Sequence, residues 1–188
     1  MSESEKISLD FQTPHDVCKY MASLVPPGAK RILEPTPGAG NIVSQLTGYD
    51  VTAPADYFKL DKQQRFDCVV MNPPFSSKSA FNLPQHLNRS GMRLGYIILV
   101  ECMGMSDNVI ALMPWFTLSD SDVRLRALKK FGIKSLTALP RKTFEYVRIQ
   151  TVVIELQKGY KGETAFKVFD LLNYKESPTL FDLIEKTA

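Results

Sequence analysis

A short apolar run that ends in two consecutive prolines constrains the fold of this chain more than any other feature. Residues 66–71, Phe-Asp-Cys-Val-Val-Met, have the length and β-branched content of a buried strand. Asn72-Pro73-Pro74-Phe75 follows directly. Open α/β sheets place their ligand sites at this carboxyl end of the strands. Because two prolines fix φ and remove two backbone donors, the carbonyls of Asn72 and Pro73 are predicted to face a ligand.

Such a loop suits the exocyclic amino group of a purine, whose nitrogen is only weakly nucleophilic. The side-chain oxygen of Asn72 and the main-chain oxygen of Pro73 can each accept one N–H of that group. Phe75 can stack on the ring plane and hold it in place. The competing interpretation is structural, with Pro-Pro ending a strand and Phe75 packed in the core.

A second strand-like run leads into a glycine-rich turn. Residues 31–43 read as a strand, the acidic residue Glu34, a turn with Gly38 and Gly40, and a helix start. The two glycines would let the backbone approach a bound cofactor closely. The third glycine of the dinucleotide fingerprint and the Lys-Ser/Thr of a phosphate-binding loop are absent. An acidic residue here suits a cationic or hydroxyl-bearing ligand better than a pyrophosphate, although a plain tight turn also explains Gly-Ala-Gly.

Together with three further motifs, these segments resemble amino-methyltransferases that use S-adenosylmethionine, most closely the DNA adenine-N6 branch. The resemblance covers residues 11–158. The five matching segments, in the order of that family, are Phe11-Gln12-Thr13-Pro14, Glu34-Pro35-Thr36-Pro37-Gly38-Ala39-Gly40, Asp56-Tyr57-Phe58, Asn72-Pro73-Pro74-Phe75, and Leu139-Pro140 through Thr143-Phe144 followed by Thr151-Val152-Val153-Ile154.

The resemblance implies a set of cofactor-binding residues. Thr13 and Pro14 would close over the methionine end of S-adenosylmethionine, and Glu34 would lie beside its amino or sulfonium group. Asp56 would accept a hydrogen bond from the adenine amino group of the cofactor, with Tyr57 packing nearby. The other cofactor residues implied by the matching turn are Pro35, Gly38 and Gly40.

The resemblance also implies how the target would be held. Asn72 and Pro73 would bind the target amine, and Phe75 would stack on the target base. Phe144 would supply the opposing aromatic face, and Pro74 would contact the substrate.

The chain departs from the family between the glycine turn and Asp56. The family places a strand, an acidic residue for the cofactor ribose and a helix there, whereas this chain offers only residues 41–55. Asp50 precedes the strand-like residues instead of following them, and Pro54 stands where the acid is expected. We therefore predict an α/β, Rossmann-like methyltransferase fold with a mainly parallel sheet, a late antiparallel strand and a shortened second strand and helix region.

Periodicity and punctuation residues predict the individual elements. Helices are expected at 14–24 and 120–131, the second capped by Asp120 or Ser121 and ended by Gly132. Strands are expected at 31–35, 50–54, 66–71, 94–101, 133–139, 150–157 and 164–170, with a polar loop at 76–92 and a short helix near 178–186. The predicted division is a methyltransferase domain at 1–158 and an extension at 159–188 that packs on the same domain.

The net charge is only +3, but the basic residues are unevenly placed. No acidic residue lies between Asp67 and Glu101, and the run 124–148 is also strongly basic. A solvated helix face at 122–131 explains part of the second run. The remaining basic residues are predicted to contact the phosphate backbone of a nucleic acid, with DNA as the expected partner: Lys78, Arg89, Arg93, Arg141, Lys142 and Arg148.

Composition and length exclude several classes of protein. Cys18, Cys68 and Cys102 are widely spaced within apolar patterns, which indicates core residues in a reducing compartment, and no Cys/His spacing suits a metal. The charged start is no signal peptide, and the apolar run 94–100 is too short to span a membrane, so a cytoplasmic protein is expected. At 188 residues the chain holds one domain, so sequence specificity would come from loops or a partner subunit.

Three functional hypotheses follow. The first is an adenine-N6 methyltransferase acting on DNA. The second keeps the chemistry but changes the substrate, because Asn-Pro-Pro-aromatic loops also resemble those of RNA and protein glutamine methyltransferases. The third is a degenerate methyltransferase fold that serves as a binding module without catalysis, which the missing ribose acid favours and the intact loop Asn72-Pro73-Pro74-Phe75 opposes.

Overall fold

A seven-stranded sheet organises the part of the chain that this computed structural model describes, residues 12–75, 94–144 and 149–172. Its strands, in chain order, are β1 Arg31–Leu33, β2 Asp50–Thr52, β3 Cys68–Met71, β4 Asn108–Pro114, β5 Ile133–Ala138, β6 Thr151–Gln157 and β7 Ala165–Val168. Across the sheet the order is β2-β1-β3-β4-β6-β5-β7. Strands β1 to β4 run parallel, β6 is antiparallel to both β4 and β5, and β7 is parallel to β5. The predicted mainly parallel sheet with a late antiparallel strand is confirmed.

Helices cover both faces of the sheet. They are α1 His15–Ser23, α2 Leu94–Met105, α3 Phe116–Ser119 and α4 Asp122–Phe131. Helix α1 packs on one face, against a cluster that contains Ile32 and Val70. Helices α2 and α4 pack on the other face, with Leu33 and Val69. Neighbouring residues of one strand therefore feed opposite cores, as the alternation of side chains along a strand requires.

Local sequence explains where two of these helices begin and end. In α1, Val17, Cys18 and Met21 share one buried stripe, and Asp16 in the first turn complements the helix dipole. In α4, the Ser121 hydroxyl accepts from the backbone N–H of Arg124, as a cap should. Gly132 ends that helix with φ of +129°. A Cβ at Gly132 would lie 2.2 Å from the Gln157 carbonyl oxygen, so only glycine fits there.

The shortened region is confirmed between β1 and β3, a stretch that the structure describes throughout. Only a 3-10 turn, Val43–Gln45, lies between β1 and β2, and another, Tyr57–Lys59, lies between β2 and β3. Strand β2 itself is three residues long and forms one edge of the sheet. The crossovers that place β1, β2 and β3 side by side therefore contain no full α-helix.

One predicted strand is wrong. Residues 94–101 were expected to form a strand, but they belong to the 12-residue helix α2, and the strand that follows, β4, was not predicted. Helix α2 is apolar apart from Glu101, so its sequence has no helical stripe, and a short apolar run does not distinguish a buried strand from a buried helix. Two neighbouring parallel strands need a crossover between them, and α2 is that crossover between β3 and β4.

The remaining predicted elements are found with small changes at their ends. The predicted strand at 164–170 corresponds to β7, which joins the sheet through β5. The predicted loop at 76–92 and the predicted helix near 178–186 lie outside the described residues. None of the helices within the described ranges is long and apolar enough to cross a membrane.

Candidate functional site

The carboxyl ends of β1, β2 and β3 meet at one edge of the sheet, and most of the predicted site residues follow these ends. Glu34 comes directly after β1, Asp56 follows β2 by four residues, and Asn72 comes directly after β3. Because the three strands are adjacent and parallel, residues that are far apart in sequence converge here.

The turn after β1 is shaped by its glycines. Gly38 and Gly40 have φ of +52° and +84°, in the region that favours glycine. A Cβ on Gly38 would lie 2.9 Å from Nε2 of Gln12, so the turn and the start of the described chain are in close contact. The Gln12 Oε1 atom also accepts from the backbone N–H of Ala39, at 3.1 Å. The glycine turn is thus pressed against the segment that carries Thr13.

Glu34 is completely buried at this turn. Its Oε1 atom accepts hydrogen bonds from the backbone N–H of Thr36, at 2.9 Å, and from the Thr36 hydroxyl, at 3.4 Å. Its Oε2 atom has no hydrogen-bond partner among the described residues. Burial raises the pKa of the Glu34 carboxyl to about 8, against the opposing effect of the two bonds from Thr36. A buried carboxyl oxygen without a donor is costly, and a cationic ligand would remove that cost.

Asn72 is connected to both other parts of the site. Its Nδ2 atom donates to the Thr13 hydroxyl at 2.9 Å, and its main-chain oxygen accepts from the Thr36 hydroxyl at 3.3 Å. Thr13 in turn accepts, through its main-chain oxygen, from Nδ2 of Asn41 at 3.0 Å. The predicted loop, the glycine turn and the segment at residues 12–14 therefore form one hydrogen-bonded unit.

The two prolines after Asn72 pack against the start of α2. A Cβ at Gly95 would lie 3.3 Å from the main-chain oxygen of Pro74 and 3.5 Å from Cγ of Pro73. Phe75 is only 6% exposed and Phe144 only 2%, and Phe144 belongs to the core on the α1 face. Both aromatic rings predicted to contact a base are thus buried in this structure.

Asp56 and Tyr57 occupy the same edge of the sheet. The Asp56 carboxylate accepts from the backbone N–H of Phe58 at 3.0 Å and so caps the short turn Tyr57–Lys59. The Tyr57 hydroxyl donates to Oε2 of Glu101 at 2.6 Å, and Nζ of Lys62 lies 2.9 Å from the centre of the Tyr57 ring. Burial raises the pKa of Tyr57 above its usual range. Tyr57 is therefore held by these two contacts as a neutral phenol.

The predicted basic residues are only partly within the described ranges. Arg141 and Lys142 are exposed, in a turn held by the Thr143 hydroxyl, which donates to the Pro140 carbonyl at 2.6 Å. The other residues of this set, Lys78, Arg89, Arg93 and Arg148, lie outside the described residues. Elsewhere, Arg124 of α4 lies over the Tyr96 ring of α2 at 5.7 Å, so its cation has a structural contact between these helices.

The sequence interpretation missed the side chains that join the motifs. Gln12, Thr36 and Asn41 were recognised only as motif positions or helix starts, yet each bonds across two segments. The signal in the sequence was the pair of short polar side chains, Thr36 and Asn41, that flank the glycine turn.

The cysteines and histidine of the described chain are not predicted site residues, and Cys18 contacts the site only through its thiol, which donates to the main-chain oxygen of Thr13 at 3.4 Å. Cys18, Cys68 and Cys102 are buried, and burial raises the pKa of each thiol to about 12. His15 Nδ1 lies 3.4 Å from Nε2 of Gln45 at the start of α1. Within 12–75, 94–144 and 149–172, no three His, Cys, Asp or Glu side chains form a group that could hold a metal ion.

Comparison with family models and with curated proteins gives no match. Solved structures do match. The methyltransferase subunit of a type I restriction-modification system from Streptococcus thermophilus superposes with a TM-score of 0.67, at 16% identity, over 95% of this chain and 52% of that one. The modification subunit of a candidate type I restriction enzyme from Vibrio vulnificus gives 0.59 at 17% identity, over 82% and 45%.

A candidate class I S-adenosylmethionine-dependent methyltransferase from Listeria monocytogenes gives a TM-score of 0.64 at 16% identity, over 95% of this chain and 71% of that one. The chain spans about half the length of the two type I subunits. At these identities the likeness establishes the fold, and it is the Rossmann-like methyltransferase fold that the sequence predicted.

Proposed function

We propose that this chain transfers a methyl group from S-adenosylmethionine to an exocyclic amino group, and that the group is N6 of adenine in DNA. The observation that carries the proposal is the hydrogen-bonded unit at the edge of the sheet. It joins Asn72 through Thr13 to a glycine turn that contains a buried carboxyl oxygen without a donor. The likeness in fold to type I modification subunits supports the same chemistry.

The residues present fit this cofactor. S-adenosylmethionine carries an ammonium and a sulfonium group, and when bound it supplies the methyl group. The unpartnered Oε2 of Glu34 suits either cation, and the positive φ of Gly38 and Gly40 leaves the turn open to a close ligand. The proposed cofactor residues are Thr13, Pro14, Glu34, Pro35, Gly38, Gly40, Asp56 and Tyr57.

Asn72 and Pro73 would act on the target amine as acceptors. Asn72 would accept one N–H of the substrate through Oδ1, the acceptor atom of its amide, while Nδ2 donates to Thr13. A second N–H would be accepted by the main-chain oxygen of Pro73. Two acceptors hold the amine so that its lone pair faces the methyl donor, and this preference grows as the nitrogen acquires positive charge.

The target base would be flipped out of the duplex and held between aromatic rings. Pro74 and Phe75 would border it on one side and Phe144 on the other, after the side chains that cover these rings move aside. A base inside a duplex cannot enter this edge of the sheet, so it must be extruded or supplied single-stranded at a cost of a few kcal/mol. Phosphate contacts from Arg141 and Lys142, which are exposed, would offset that cost, and Lys78, Arg89, Arg93 and Arg148 are proposed to join them.

We also propose that sequence selection comes from a partner subunit. The chain spans about half of the type I subunits that it matches, and the names of those proteins identify them as subunits of larger enzymes. The division into a domain at 1–158 and an extension at 159–188 is part of this proposal, and the pairing of β7 with β5 supports it.

The shortened region between β1 and β3 supports a second candidate function. The stretch between β1 and β3 has only 3-10 turns, so a ligand would find fewer contacts there than a full crossover provides. A binding module without catalysis fits that observation. Calorimetry distinguishes the two, because a protein that retains the cofactor site should release heat with S-adenosylmethionine at up to millimolar concentration, and a bare binding module should not.

The test of methyl transfer uses tritiated cofactor and a panel of substrates. Wild type is expected to label DNA, and Asn72→Ala is expected to lose labelling while it binds the cofactor as wild type does. Asn108→Ala is the matched control, because Asn108 also bonds through Nδ2, to the Asp67 carbonyl at the opposite edge of the sheet. If RNA or a protein glutamine is labelled and DNA is not, that molecule would be the substrate instead of DNA. Wild-type labelling by Asn72→Ala would remove the catalytic assignment.

A further inference from the structure

A buried hydroxyl near the proposed site, that of Thr151, has no hydrogen-bond partner among the described residues. Thr151 is completely buried, and it is the first residue of β6. Within residues 12–75, 94–144 and 149–172, one other buried side-chain atom is in the same state, Oε2 of Glu34, which the proposed function assigns to the cofactor. Burying a hydroxyl without a partner is costly, so Thr151 calls for a physical explanation.

Thr151 lies at the same end of the sheet as Asn72. Strand β6 is antiparallel to β4, so its first residue lies beside the carboxyl end of β4, where Thr151 pairs with Pro114. Strand β3 is the neighbour of β4 on the other side, and Asn72 follows β3 directly. Because neighbouring strands are about 4.8 Å apart, β3 and β6 are separated by about 10 Å across the sheet.

Thr151 also faces the same side of the sheet as Asn72. Val153, two residues further along β6, belongs to the core on the α1 face, and side chains alternate along a strand. Val70 belongs to the same core, and Asn72 follows it by two residues. The bond from Asn72 to Thr13, which lies next to α1, agrees with this placement. The two side chains therefore flank the end of β4 on one face.

The aromatic ring of Phe144 packs over this part of the sheet. It belongs to the same core cluster as Leu112 and Val153, which pair with each other two residues from the pair formed by Pro114 and Thr151. In the proposed function Phe144 moves to border the target base. That movement would open the face of the sheet at Thr151 to the base.

We propose that the Thr151 hydroxyl binds the target base at a ring nitrogen next to the amino group that Asn72 holds. This inference rests on the proposed function. The amino group of adenine lies between N1 and N7, and both nitrogens are acceptors, so a hydroxyl beside either of them donates its hydrogen. Two hydrogen bonds of about 2.9 Å on either side of the ring edge fit within a separation of about 10 Å. A bound base would thus give the buried hydroxyl its partner.

The stability of the free protein tests the state of this hydroxyl. Thr151→Val keeps the shape of the side chain and removes a buried group without a partner, so it should raise the melting temperature. Thr137→Val is the matched control and should lower it, because Thr137 is equally buried on β5 and its hydroxyl bonds to the Tyr20 hydroxyl at 2.6 Å. An unchanged or lower melting temperature in Thr151→Val would show that the hydroxyl already has a partner, and would overturn the inference.

The contact with the base is tested by binding to single-stranded oligonucleotides that contain one adenine, 7-deazaadenine or 1-deazaadenine. Affinity is measured with the full chain and S-adenosylhomocysteine, the cofactor without its methyl group. We expect one analogue to bind wild type about three- to tenfold more weakly than adenine, which is the size of one lost hydrogen bond. Thr151→Val should bind adenine as weakly as that analogue, whereas Thr151→Ser and Thr137→Val should discriminate as wild type does.

Methyl transfer to the adenine oligonucleotide, measured alongside, separates this inference from the proposed function. If wild type transfers no methyl group but discriminates through Thr151, the proposed function fails and the contact with the base stands. If wild type transfers methyl groups and neither analogue distinguishes it from Thr151→Val, the contact fails and the proposed function stands. Absence of binding to all three oligonucleotides would overturn the contact as well.

Discussion

Single side chains at the carboxyl ends of β1 and β3 form hydrogen bonds that their motifs do not reveal. The apolar run 66–71 before the Asn-Pro-Pro-Phe motif predicted that Asn72 follows a buried strand, and it does. The motif could not predict the bonds from Asn72 to Thr13 and from Thr36 to Asn72, because these depend on how three separate segments meet. The burial of Phe75 agrees with the competing structural interpretation of the motif, whereas the burial of Phe144 was not predicted, since a short aromatic motif carries no information on what covers it.

The buried carboxyl of Glu34 makes a prediction about pH. Its pKa in the folded protein is about 8, above an ordinary value of 4.5, so the unfolded state loses its proton first. The Glu34 carboxyl therefore lowers the free energy of unfolding progressively as pH rises from about 4.5 to 8. The total loss is a few kcal/mol, because each unit of pKa difference corresponds to about 1.4 kcal/mol. Glu34→Gln removes the titration, so its stability relative to wild type should rise over that range.

Urea unfolding of wild type and Glu34→Gln at pH 5 and pH 8.5 measures that difference. Affinity of the wild type for a cationic cofactor should increase over the same range, because the ionised carboxylate is the form that attracts it. A difference in stability between the two proteins that does not change with pH would contradict a buried, proton-bearing Glu34.

At the scale of elements, the sequence predicted most of the sheet and missed one crossover. Strands β1, β2, β3, β5 and β6 were predictable from β-branched content and turn residues. Helix α2 and strand β4 were not, because both are almost wholly apolar and neither has a polar face that reveals its period. The shortened region was predictable from length alone, since 15 residues, 41–55, leave no room for a strand and a full helix.

The glycine turn makes a prediction at the same scale. Alanine at Gly38 would meet Gln12 and displace its bond to Ala39, whereas alanine at Gly48, with φ of +83°, meets open space. Both substitutions should cost about 1–2 kcal/mol of stability, from the left-handed backbone that each retains. Only Gly38→Ala should weaken binding of S-adenosylmethionine, as measured by calorimetry. Equal cofactor affinity in the two variants would show that the contact with Gln12 is unimportant.

At the scale of the whole molecule, the proposed ligand site lies at the carboxyl ends of the parallel strands, and Arg141 and Lys142 are the described residues of the predicted basic set. Arg141 and Lys142 follow the end of β5 by a few residues and are exposed. If they contact phosphates, DNA affinity should fall steeply with salt, and the variant with both changed to alanine should show a slope of log affinity against log salt that is smaller by about one to two. Lys129→Ala with Lys130→Ala, on the solvent side of α4, is the control with the same change in charge and should keep the wild-type slope. Identical slopes in all three proteins would exclude Arg141 and Lys142 from the nucleic-acid interface.

The identity of the modified base tests the central claim most directly. DNA is incubated with wild-type protein and S-adenosylmethionine that carries a deuterated methyl group, and the digested nucleosides are separated and weighed by mass spectrometry. The account predicts labelled N6-methyldeoxyadenosine with wild type and none with Asn72→Ala. A label on another nucleoside, or no label under conditions in which the protein binds the cofactor, would contradict it.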